Sequence, residues 1–143
     1  DEAQQIYEIR MQLEASAAAA CAQKATPAAI EALNEALAAI AEAHSRHSSI
    51  DALRATNTFY EAMFLTGGHT IAWEVVQRLH GRISRLRAMT LASDGRQSAG
   101  HAQLSEIVTA IAARDADRAA SACRQHVEGA ARLADALLAA RPG

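Results

Sequence analysis

Apolar positions recur along most of this chain at steps of three and four residues, the spacing that lines up one side of an α-helix. Over residues 1–24 they are Ile6, Ile9, Leu13, Ala17, Ala20 and Cys21. Asp1 and Glu2 suit the positive start of that helix, and Lys24 suits its end. Thr26-Pro27 predicts a second start, with Thr as the cap and Pro in the first turn. Ile30, Leu33, Leu37, Ile40 and Ala41 then share a face up to a polar run over 44–49. A third helix, capped by Ser48 or Ser49, spans 51–65 and places Leu53, Thr56, Asn57, Tyr60, Met63 and Phe64 on one side. It stops at Gly67-Gly68, where the backbone can turn left-handed without a Cβ penalty. From Thr70 a stripe of Ala72, Trp73, Val76, Leu79, Ile83 and Leu86 predicts a fourth helix with a weak point at Gly81. Residues 92–99, with Ser93-Asp94-Gly95 among them, read as the longest loop. A fifth helix turns Leu104, Ile107, Val108 and Ile111 inward. Asp115 caps a sixth over 116–140, striped by Ala119, Cys123, His126, Ala130, Leu133 and Leu137. With no strand-like alternation in the sequence, the expectation is an all-α, single-domain antiparallel bundle of about six helices.

Composition narrows the partners. The chain has 143 residues, enough for one domain with one core. Half of it is apolar but only 3% is aromatic, so Ala-rich helices must pack closely. Both Phe residues and one of the two Tyr residues fall in the third helix, which marks it as the centre of the core. Thr56 and Tyr60, at i, i+4 on that helix, need partners there or line a cavity. A net charge of −2 offers no basic stripe for nucleic acid. The cluster of Arg78, Arg82, Arg85 and Arg87 reads as a solvated face. No run approaches the ~18 apolar residues of a membrane span, which leaves the cytoplasm as the default expectation. Cys21 and Cys123 lie among alanines and read as reduced thiols. The chain opens at Asp1 already in helical phase and without Met, as a piece of something longer would.

Arg10 reads as one half of a surface pair with Glu14, worth ~0.2–0.5 kcal/mol. His126, on an apolar stripe, reads as a neutral core imidazole with the Tyr60 hydroxyl as its natural partner. His44, His47, His69 and His80 fall in surface or turn positions.

Three groups of residues carry a family resemblance. They are Ile6-Tyr7-Glu8-Ile9-Arg10 with Leu13-Glu14; Phe59-Tyr60-Glu61-Ala62 with Gly67-Gly68-His69; and Ala110-Ile111-Ala112-Ala113-Arg114-Asp115 with Ala119 and His126-Val127. In this order they resemble the FCD domain, the C-terminal effector-binding and dimer-associated half of one branch of GntR-type bacterial transcription regulators. The resemblance implies that residues 1–143 form an effector-binding and dimerisation domain. A small-molecule effector, a homodimer and no catalysis follow from it, with DNA reached only through an N-terminal winged-helix domain outside this chain.

Many members hold a divalent metal with one Asp and three His. Those positions fall here on Thr56, Tyr60, Leu104 and His126, so only the last is kept. Thr, Tyr and Leu do not replace the lost donors, and His101, almost a turn before Leu104, restores one at most. The implied site is therefore a cavity without metal or other cofactor, bounded by Arg10, Thr56, Tyr60, Leu104 and His126. Arg10 is its first choice of cation for an acidic effector, with Arg82 and Arg87 after it. Two rivals stand beside this reading. One is a ligand-free dimerisation bundle joined through the Ala-rich stripes of the first and last helices. The other is a helical enzyme using His126 and Tyr60, for which the sequence offers no nucleophile and no carboxylate cluster.

Overall fold

A computed structural model describes residues 1–93 and 95–140. Among the described residues there are seven helices and no strand: α1 (Glu2–Lys24), α2 (Pro27–Ser45), α3 (Ser49–Thr66), α4 (Thr70–Arg78), α5 (His80–Leu91), α6 (Arg96–Ala112) and α7 (Ala116–Ala139). The expected all-α bundle is there, with seven helices where six were read. The extra one arises because the stripe after Thr70 breaks. The break sits at Leu79, whose backbone (φ −96°, ψ 4°) leaves the helical region. No breaker residue marks that position, and Gly81 lies inside α5.

Four helix starts carry side-chain caps, three of them at positions the sequence suggests, with Asp1 as the fourth. Asp1, Thr26, Ser48 and Asp115 each accept a bond from the backbone N–H three residues on, at 2.9–3.3 Å. The C-terminal ends of α1 and α3 are held together by Lys24, whose Nζ donates to the Gly67 carbonyl at 3.3 Å. Gly67 itself permits the crossing. A Cβ there would stand 3.0 Å from the backbone N of Cys21 and 3.1 Å from the backbone O of Ala17. Gly68 takes the left-handed turn, with φ +75°.

Two corrections concern the faces. On α3 the buried side is Ala52, Ala55, Thr56, Phe59, Tyr60, Met63 and Phe64, while Leu53 and Asn57 are only half-buried. The inward direction is rotated towards Phe59 because α2 and α1 cover α3 from two sides. Ile9 and Ala41, read as inward, face solvent. The first helix also shares the centre with α3. It touches α3, α5, α6 and α7, and it buries Ile6, Tyr7, Arg10, Glu14, Ala17 and Cys21.

The core falls into two apolar clusters. The larger contains Phe59, Tyr60, Met63, Phe64, Leu104, Ile107 and Ile111. The smaller gathers Tyr7, Val127, Ala130 and Ala134 with Met89 and Leu86 against them. Along α1 and α7 the polar residues Arg10, Glu14 and His126 stand where one cluster gives way to the other. Both cysteines are buried and free, and burial pushes the Cys21 thiol up to about 11, which keeps it protonated and unreactive. Among the described residues, no helix is long and apolar enough to cross a membrane.

Candidate functional site

A cavity of about 50 Å³ opens between α1, α2, α3, α5, α6 and α7, at the polar break between the two clusters. Arg10, Arg87, Arg96 and His126 converge on it, with Thr56, Thr90, His44 and His101 around them and Ile40, Leu104 and Ala130 as apolar wall. Two wider hollows, of about 730 and 490 Å³, lie nearer the surface, but neither gathers such groups. The second of these shares His44, Leu91 and Gln97 with the small cavity as a common wall.

Arg10 is not on the surface as the sequence suggested. Its guanidinium and the Glu14 carboxylate form a buried fork, Nε to Oε2 at 2.8 Å and Nη2 to Oε1 at 3.3 Å, with both side chains almost fully enclosed. Burial works against the Arg10 charge, but the Glu14 carboxylate, together with Tyr60 and Tyr7, outweighs burial and holds the group above its ordinary value. Arg87 belongs to the site rather than to a solvated face. Its Cζ sits 4.6 Å from the Tyr60 ring centroid, a cation–π contact. Burial lowers its pKa, and the neighbouring Arg10 charge lowers it further. Arg82, the other second choice, pairs with Glu2 at 3.1 Å away from the cavity.

Arg96 was missed by the sequence reading, which placed it in a loop over 92–99. Gly95 turns left-handed (φ +78°) and α6 starts at once, so that Arg96 lies in a first helical turn. From there it donates to Gln103 Oε1 at 3.1 Å and to the His126 carbonyl at 3.3 Å. The missing side chain of Gly129 makes room: a Cβ would come within 3.3 Å of Arg96 Nη1. A guanidinium just after Ser-Asp-Gly, in a stretch read as a loop, gave no signal of this in the sequence.

His126 is buried, but its partner is Gln103 and not Tyr60. Nδ1 lies 2.8 Å from Gln103 Oε1. With the amide oxygen facing the ring, Nδ1 donates and Nε2 is left as an acceptor. Burial and then the charges of Arg96, Arg10 and Arg87 hold its pKa well below 6.5, so the ring is neutral. Tyr60 lies under Arg87 and is not among the residues lining the cavity; its buried hydroxyl has no hydrogen-bond partner among the described residues. Desolvation keeps that phenol protonated. Thr56 lines the cavity but spends its hydroxyl on the Ala52 carbonyl, 2.8 Å away. Leu104 contributes apolar wall. His44, read as a surface residue, is half-buried on the cavity side, and His101 is hydrogen-bonded to the Leu37 carbonyl at 3.1 Å.

A pH profile should expose the neutral His126. The unfolded imidazole binds a proton near pH 6.5, the folded one only at lower pH. Stability is then full above that value and falls as pH drops below it, by up to ~1.4 kcal/mol per pH unit. Melting curves from pH 7 to 5 should show this fall, with His44 adding in the same direction. His126→Gln should flatten most of it, and an unchanged slope would place the proton elsewhere.

The family model of the FCD domain matches residues 5–129, a stretch that contains Arg10, Arg87, Arg96 and His126. The chain belongs to the FCD domain family. FCD domains are the C-terminal effector-binding domains of GntR-type transcription regulators. No individual protein of curated function matched the chain. The divalent metal known in many FCD domains does not fit the residues here. Among the described residues, no group of three or more His, Cys, Asp or Glu converges to hold a metal. Three guanidiniums around the cavity would also oppose a cation.

Proposed function

We propose that this FCD domain senses a small organic acid, bound directly by guanidinium groups in a cavity that has dispensed with the family's metal. The observation that supports this is the convergence of Arg10, Arg87 and Arg96 on one hollow with no carboxylate in its lining among the described residues. Arginine cannot shed its proton at any ordinary pH, so an anion is the natural occupant. Arg10, Thr56, Leu104 and His126 keep the role expected of them, joined by Arg87 and Arg96, with Tyr60 acting through Arg87. In the full regulator, a cytoplasmic homodimer, occupancy would shift the arrangement of two DNA-binding domains. That coupling requires the acid to bind two arrangements of the bundle with different affinity. The chain would not be an enzyme: His126 bonds an amide, and among the described residues no nucleophile or acid is bonded to it.

Thermal melts test this reading. A divalent metal panel with EDTA controls should leave the melting temperature unchanged. Some small organic acid should raise it by several degrees, since a ligand at ~100 times its dissociation constant adds ~2.7 kcal/mol. A strong rise with Zn or Ni that disappears in His126→Ala would overturn the metal-free site. The small size of the cavity favours one rival, a dimerisation bundle without ligand, which predicts no response to any acid.

A further inference from the structure

We infer that the head group of the ligand carries two negative charges, taken by Arg87 and Arg96. This inference rests on the anion-binding reading above and specifies it. Three guanidiniums border the cavity, and the only carboxylate joined to any of them among the described residues is Glu14, which Arg10 engages through both of its oxygens. Among the described residues, two positive charges therefore stand without a balancing group. Arg87 is covered by the face of Tyr60, whose weak attraction for a cation does not neutralise it. Among the described residues Arg96 meets only neutral groups: it donates to the amide oxygen of Gln103 and to the carbonyl of His126, and its Nη2 lies 3.3 Å from the ring Nδ1 of His126.

Both residues are half-buried, and charges partly withdrawn from water are costly unless paired; guanidiniums cannot escape that cost by deprotonating. A monoanion would leave one of them uncompensated; a dianion balances both. His126 adds nothing to the count, because its ring is neutral and already bonded to Gln103. The volume of about 50 Å³ suits a compact head group, and the groove of about 490 Å³ beyond His44, Leu91 and Gln97 offers space for whatever is attached to it. Two chemistries meet the charge requirement. A phosphate carries both charges on one centre, and a short dicarboxylate carries them on two.

The test is calorimetric titration of the domain at pH 7.5 and matched ionic strength with inorganic phosphate, succinate, monomethyl succinate and propionate. At least one of the two dianions should bind about tenfold or more tightly than either monoanion, as expected for an added charge-assisted contact. Phosphate ahead of succinate identifies a single-centre head group, and the reverse order a dicarboxylate. Arg87→Gln and Arg96→Gln, which relieve repulsion and so should keep the fold, should each reduce that preference to about the monoanion level. Monoanions binding as tightly as dianions would overturn the two-charge inference while leaving the anion site intact. If none of the four binds to the folded domain, the anion site itself falls.

Discussion

Glu14→Gln should destabilise the domain by about 3–5 kcal/mol, the cost of leaving a buried guanidinium without its counter-charge. For a chain of this size that is a fall of roughly 10 °C in melting temperature. The residue is wholly enclosed, and its carboxylate is the only one on Arg10 among the described residues, so water cannot take its place. Replacing both partners, as in Arg10→Met with Glu14→Leu, removes the unpaired charge and should leave stability near or above that of the parent. It should still weaken anion binding, because Arg10 borders the cavity. Phosphate or succinate should also recover part of the loss in Glu14→Gln. A fall of less than about 1 kcal/mol in denaturant titration would mean that the pair behaves as an exposed one.

Phe59→Ala should cost about 3–5 kcal/mol, the usual range for emptying a fully buried aromatic site. Phe59 is completely enclosed in the larger cluster, and its ring meets that of Tyr60 edge-on with centroids 5.6 Å apart. The loss should reach the cavity too. Tyr60 supports Arg87 from below, so a hollow beside Tyr60 loosens the surface on which that guanidinium rests. Leu53→Ala, on the same helix but half-buried, should cost no more than about 1 kcal/mol. Equal losses in the two variants would restore the helix face that the bare periodicity suggests.

The reach of the sequence can be seen in these same residues. Apolar spacing and capping chemistry are local properties, each set within about one helical turn. For that reason the starts at Thr26, Ser48 and Asp115 and the inward set of Leu104, Ile107, Val108 and Ile111 were legible, as was the all-helical class. The ordered residues of the FCD pattern identified the family, and four of the five site residues named from it do line one cavity. Charge is different, because its state depends on what covers it. Arg10 and Glu14 have the spacing of an ordinary surface pair, and only the packing of α3, α5, α6 and α7 against α1 encloses them. Arg87 looked like one more cation on a basic face until Tyr60 and Arg10 were beside it. Arg96 comes to the site through a left-handed glycine and the bare backbone of Gly129 on α7, 33 residues away in the chain. The chain by itself determined which segments are helical, how they begin, and which family they form. Only the tertiary structure decided which polar side chains are drawn away from water together, and that packing gathers three scattered arginines around one cavity, where we propose an anion binds.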